Sequence, residues 1–135
     1  MSLEAEILRK YHTVVVVGIS SREDRPSNGV ARYLKDNGYR IIPVNPRETE
    51  VLGERCYPDI CSISEPVDVV DVFRRSRYVP RVVAEAIYKG AKVVWMQEGI
   101  VHEAAARRAR AAGLEVVMDR CMRVEHRNLP VGRQG

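Results

Sequence analysis

The sequence predicts an α/β fold, a doubly wound five-stranded parallel sheet with strand order 3-2-1-4-5. Three observations predict it. Short β-branched runs recur along the chain, each continuous enough for a strand buried on both faces. Segments with helical apolar spacing lie between them, and strand-helix-strand alternation means parallel strands joined by right-handed crossovers. At 135 residues the chain holds one core, so residues 1–135 are read as a single domain.

Each element has its own signal. Ser2 to Tyr11 carries Leu3, Ile7 and Leu8 at helical spacing, which predicts a short amphipathic helix over 2–11. Thr13 to Val17, closed by Gly18, is strand one. From Pro26 and Ser27 the pattern turns helical through Val30, Ala31 and Leu34, with Ser27 as N-cap and Gly38 just past the end. Tyr39 to Val44 is strand two, stopped by Asn45-Pro46. Residues 45–66 are irregular, with room for a short piece at Val51 to Gly53 and a helical turn at Asp59 to Ser62. Val67 to Phe73 is strand three, and Val79-Pro80 opens a helix ended by Gly90. Ala91 to Met96 is strand four. Glu103 to Ala112 is a helix ended by Gly113, and Leu114 to Met118 is strand five. The remainder reads as a short helix and a loose tail from about 129.

Composition narrows the setting. The chain is 45% hydrophobic and 30% charged, which is globular rather than disordered, and its apolar runs span only a few residues, so no membrane span is expected. Without a signal-like apolar stretch at the start, the expected location is cytoplasmic. Cys56, Cys61 and Cys121 are read as thiols rather than a disulfide framework. The formal charge of +4 is modest, and nothing resembles a nucleic-acid-reading motif. Of 22 cationic side chains only Lys10, Lys35, Lys89 and Lys92 are lysine. The excess of arginine matters because a guanidinium fork grips phosphate oxygens in pairs.

Ligands of doubly wound sheets bind at the carboxyl ends of the strands where the chain reverses, here expected between strands one and four. The turn after strand one runs from Gly18 through Ile19, Ser20, Ser21, Arg22 and Arg25 to Pro26 and Ser27. A glycine there lets backbone approach a ligand, and the following amides, hydroxyls and helix start suit a phosphate. The dinucleotide fingerprint is absent, since Gly29 arrives eleven residues after Gly18. Strand two ends in Val44, Asn45, Pro46 and Arg47 with no immediate acid for ribose hydroxyls, and a cation there favours a phosphorylated ribose. Arg22, Arg25, Arg47, Arg74, Arg75, Arg77, Arg120 and Arg123 all follow strands and should share one rim, with Arg77 and Arg123 expected in solvent. Coenzyme A, with a pyrophosphate and a ribose phosphate, fits such a rim. After strand four, Met96 and Ile100 offer apolar contact to a pantetheine arm and Gln97 can pair with its amides.

Seven ordered segments carry a further resemblance: 15–20, 25–27, 42–46, 53–58, 69–74, 93–100 and 117–121. Over about residues 5 to 129 they resemble the small stand-alone coenzyme A-binding proteins, whose Rossmann-like domain is similar to the nucleotide-binding part of the succinyl-CoA synthetase α subunit. The resemblance implies that Gly18, Ile19, Ser20 and Ser21 line the pyrophosphate, that Val44 to Arg47 lies by the adenosine, and that Phe73, Arg74, Met96, Gln97 and Glu98 line the rest, with Gly99 in the same segment. The synthetase's catalytic histidine belongs to another domain, so ligase activity is not implied. The expected function is binding of coenzyme A or an acyl-CoA as a small-molecule ligand, without a reaction carried out alone, and with no nucleic acid, membrane or metal. The sequence leaves a homo-oligomer or a partner protein open. Two alternatives remain open: thiol-disulfide or acyl-transfer chemistry at Cys121, which lies just beyond strand five beside Arg120, and NAD(P) sensing by the same fold.

Overall fold

The computed structural model describes residues 1–130. Its elements follow the predicted alternation: α1 (Leu3–Lys10), β1 (Thr13–Val17), α2 (Pro26–Asp36), β2 (Arg40–Val44), β3 (Glu50–Val51), β4 (Glu54–Arg55), β5 (Val69–Val72), α3 (Val79–Lys89), β6 (Val93–Met96), α4 (Glu103–Ala111), β7 (Glu115–Val117) and α5 (Met122–Arg127). The tail expected from about 129 lies mostly outside the described residues. Among those residues no helix is long and apolar enough to cross a membrane.

Side-chain alternation along the strands builds two cores. Val14 and Val16 of β1 join Ile41, Val69 and Trp95 beneath α1, α2 and α5, where Ile7, Leu8, Leu34 and Met122 pack. Val15 and Val17 face the other way, with Val70, Val72 and Val94, against Val79, Val83 and Ala86 of α3 and Ala106 and Ala109 of α4. Strand β1 is thus apolar on both faces, which explains its unbroken valine run, while β5 interrupts its own with the buried Asp71. Helix ends follow local chemistry too. Ser2 Oγ accepts from Ala5 N at the start of α1, and Gly90 takes the left-handed conformation that closes α3. Ser27, expected as an N-cap, instead lies inside α2; Arg25 stands at the cap with no side-chain bond to the helix.

The five-stranded parallel sheet is as predicted, but its order is β2-β1-β5-β6-β7. In the count of the five main strands this is 2-1-3-4-5, and the expected 3-2-1-4-5 is corrected. Strand three cannot dock outside β2 because that edge is taken: Tyr57 N donates to Pro43 O at 3.0 Å and Asn45 N to Tyr57 O at 2.9 Å. Pro43 itself has no N–H for a ladder. The chain therefore returns past β1, and β5 pairs in parallel with it from Val14↔Val69 to Val17↔Val72. The reversal falls between β1 and β5 rather than between strands one and four. The irregular segment 45–66 contains the β3–β4 hairpin, and Asp59 to Ser62 forms a turn, not a helix.

Candidate functional site

The loops after β1 and β5 leave the sheet side by side and turn to opposite faces, opening a crevice between them. Gly18 sits where they touch. With φ 86, it occupies the left-handed region, and a Cβ there would stand 2.6 Å from Phe73 O and 2.8 Å from Arg74 Cδ. Only a glycine fits both demands.

Three contiguous lobes make up the crevice. The middle lobe, about 310 Å³, is lined by Gly18, Ser20, Arg22, Arg25, Pro26, Ser27 and Phe73. An outer lobe of about 560 Å³ shares Pro26 and Phe73 with it and adds Val30, Arg74, Arg75, Gln97, Glu98, Gly99, Ile100, Cys121 and Arg123. A third lobe, about 390 Å³, shares Gly18 with the middle one and runs between Val44, Pro46, Pro58 and Ile60 on one side and Arg74, Tyr78 and Val82 on the other.

The β1 loop is pinned in place. Asn45 Nδ2 donates to Ile19 O at 2.7 Å, and Asn28 Nδ2 donates to Ser20 O at 2.9 Å. Ser20 N donates to Ser27 Oγ at 3.0 Å, and Arg22 N to Ser20 Oγ at 3.0 Å. Ser21 meets an anion supplied by the chain itself: its hydroxyl donates to Glu48 Oε2 at 2.8 Å and its N–H lies 3.4 Å from the same oxygen. Helix α2 begins beside this loop with no acid in its first turn. Its partial positive end is therefore uncompensated within that turn, a setting that favours a bound anion.

Arg74 crosses between lobes with its guanidinium 4.2 Å from the Tyr78 ring centre, where Arg77 also hydrogen-bonds the phenol and lowers its pKa. Beneath the outer lobe, Gln97 is buried and its Nε2 donates to Asp71 Oδ1 at 2.7 Å. Burial pushes the Asp71 carboxyl up to about 8, against the smaller lowering by Gln97. Gly99 N donates to Asp119 Oδ1 at 2.7 Å and Trp95 Nε1 to Arg120 O at 2.8 Å, which bind the β6 and β7 loops together and set Cys121 at the lobe.

The predicted site residues divide by this geometry. Gly18, Ser20, Arg25, Pro26, Ser27, Val44, Phe73, Arg74, Gln97, Glu98 and Gly99 line one lobe or another. Met96, expected with Ile100 to offer apolar contact to a ligand, is wholly buried among α3 and α4 residues, whereas Ile100 does line the outer lobe. Ile19 is likewise a core side chain whose backbone carbonyl is held by Asn45. Ser21 and Asn45 border the loop without lining a lobe. Arg47 is exposed, its N–H on Asn45 Oδ1, and lines none of the three. Arg123, expected in solvent, lines the outer lobe. Glu48 and Asn28 escaped the sequence reading; only Asn28's place in the first turn of a crevice helix hinted at its role. Among the described residues no cluster of His, Cys, Asp and Glu could hold a metal ion.

Fold and crevice together define a Rossmann-like α/β domain with an open crevice at the strand carboxyl ends, the place where ligands of such sheets bind. Residues 12–127 match the family model described as CoA binding domain, and the chain belongs to that family. Protein YneT of Bacillus subtilis (strain 168) is 42% identical over 121 residues, covering 90% of each chain. A hypothetical protein from Pyrococcus horikoshii OT3 superposes with a TM-score of 0.91 at 42% identity, covering 93% of this chain and 89% of that one. The ADP-forming acetate–CoA ligase II of Archaeoglobus fulgidus is 37% identical over 82 residues, which are 59% of this chain and only 12% of that enzyme.

Proposed function

We propose that this domain binds coenzyme A or an acyl-CoA along the crevice and holds it without carrying out a reaction alone. The observation that carries the reading is the row of three connected lobes whose middle lobe, beside the start of α2, brings Arg22 and Arg25 together with the Ser20 and Ser27 side chains. Coenzyme A has the same order of parts: a flat base, phosphates and a thin amide-bearing arm. The third lobe offers apolar walls and Tyr78 for the adenine. The middle lobe offers Arg22, Arg25 and the Ser20 and Ser27 hydroxyls for the pyrophosphate. The outer lobe offers Phe73, Ile100 and the Gln97 carboxamide for the pantetheine arm. All three cysteines are free thiols, which suits a reducing compartment, and a cytoplasmic setting is part of the reading. Titration calorimetry with CoA, dephospho-CoA, NAD and NADP tests it. CoA should bind tightest, and tighter binding of NAD would overturn the assignment.

Cys121 supports a second reading, because it is buried yet lines the outer lobe, where the arm's thiol would end. Its thiolate would attack CoA disulfide, forming a Cys121–CoA mixed disulfide and releasing CoA thiolate, which takes up the proton that Cys121 lost. Intact mass after incubation with CoA disulfide should show one adduct on Cys121; an adduct on the exposed Cys61 alone argues against it.

A further inference from the structure

We propose that the outer lobe selects acyl-CoAs whose acyl group ends in a carboxylate, and that Arg123 is the residue that reads it. The proposal rests on the CoA reading above and names the ligand class of the same crevice.

Arg123 is a cation placed for an anion it does not have. It is half-buried, its Nε is shut off from solvent without a hydrogen-bond partner, and no carboxylate of the described residues lies within ion-pair distance of it. Leaving a partly desolvated guanidinium unpaired is costly, so a ligand anion brought to it gains more than one meeting a solvated arginine. Its seat is built by a neighbouring element: Gly29 of α2 lacks the Cβ that would stand 3.3 Å from Arg123 Nη1. Glu98, the one acid lining the same lobe among the described residues, is solvent-exposed and unpaired with it.

The position of Arg123 decides which anion it meets. It lines the outer lobe and not the middle one, where Arg25 and Arg22, the latter in an exposed pair with Asp24 at 3.0 Å, are assigned to the pyrophosphate. Pantetheine, the part of the cofactor that the outer lobe would hold, is uncharged. With the pyrophosphate at the middle lobe and the adenosine with its ribose phosphate in the third, the anion left for the outer lobe comes from beyond the sulfur, and a short acyl chain ending in a carboxylate supplies one. Of the arginines lining that lobe, Arg74 stacks on Tyr78 and Arg75 is exposed, which leaves Arg123 to meet it. Apolar Val30 and Ile100 line the same lobe and suit the intervening methylenes.

Calorimetry with CoA, malonyl-CoA, glutaryl-CoA, butyryl-CoA and hexanoyl-CoA tests this on the wild-type chain and on Arg123→Gln and Arg123→Lys. At least one carboxylate-bearing thioester should bind about tenfold tighter than the uncharged ones, since a charge-assisted hydrogen bond supplies that much. Arg123→Gln should abolish the preference by costing the carboxylate-bearing thioester about tenfold more than it costs CoA or the uncharged thioesters, and Arg123→Lys should keep part of it because the charge remains without the fork. If Gln does not fold, Lys carries the comparison. Equal affinity of charged and uncharged thioesters for the wild-type chain overturns the proposal. So does a preference that survives Arg123→Gln, and so does an equal loss for CoA itself, which would make Arg123 a phosphate ligand. Failure of CoA and every thioester to bind would instead overturn the CoA reading beneath it.

Discussion

Replacing Gly18 by alanine separates two costs that coincide at the mouth of the crevice. The first is conformational: a Cβ on a residue at φ 86 incurs the left-handed penalty, about 1–2 kcal/mol. The second is steric, because that Cβ would lie 2.6 Å from a backbone oxygen, Phe73 O, which can move only by shifting the end of β5. Overpacking of this kind adds about 1–3 kcal/mol. Gly38 supplies the control, with φ 90 and nothing within 4 Å of the place its Cβ would take. For 135 residues, 1 kcal/mol corresponds to about 3.5 °C in Tm. Gly38→Ala should thus lower Tm by about 4–7 °C and Gly18→Ala by about 7–17 °C, read by circular dichroism on the two variants side by side. The reasoning fails if Gly18→Ala is no worse than Gly38→Ala, for then the two loops do not meet as closely as the crevice requires.

Asp71 should make stability fall with rising pH: its carboxyl stays protonated in the fold up to about 8, whereas the unfolded chain gives up that proton above about 4. Between those limits the loss runs at up to about 1.4 kcal/mol per pH unit, and urea unfolding of Asp71→Asn at pH 5, 6.5 and 8 should show a flatter profile than the wild type. Glu48→Gln should tighten CoA binding by roughly two- to fivefold in calorimetry, since the contact it weakens is solvent-exposed and modest. Weaker binding in that variant would mean that Glu48 serves the ligand, for example at a ribose hydroxyl. Arg25→Ala should weaken CoA binding by about tenfold and reduce its salt dependence, while Arg47→Ala, outside the three lobes, should change it less; the reverse order would relocate the phosphate site.

Much of this architecture was legible in the chain because single residues carried the signal. The valine runs of β1, β5 and β6 announced strands buried on both faces, and Gly18 marked the close approach. The strand order was also written there, in Pro43: a proline within an otherwise regular strand belongs at an edge, yet what covers that edge, Tyr57, lies fourteen residues on in a segment with no periodic pattern. Site residues were legible to the extent that position in a strand-end loop defines them. Whether a side chain then turns into the crevice or the core depends on pleat parity at the strand's last residue. That parity sends Met96 down into the α3 and α4 layer, leaving Gln97 at the lobe. Glu48 and Arg123 were hidden for another reason: each acts across the fold, on residues 27 and 94 positions away, and no local pattern encodes such a pairing.

The charge balance around the crevice has a physical logic that joins these cases. A loop that gathers the Ser20, Ser21 and Ser27 side chains, a helix start with no acid in its first turn and two arginines concentrates positive potential that an anion would relieve. The chain relieves part of that field with Glu48, whose carboxylate reaches Ser21 from the segment after β2. Relief from an exposed carboxylate is small and reversible, so phosphates carrying more charge and more acceptor oxygens can displace it. In the outer lobe Glu98 is exposed, and among the described residues Arg123 has no acid paired with it. The two ends of the crevice should therefore respond differently to salt: ligand contacts in the middle lobe compete with the exposed Arg22–Asp24 ion pair, whereas those at Arg123 create a pair where the described residues supply none.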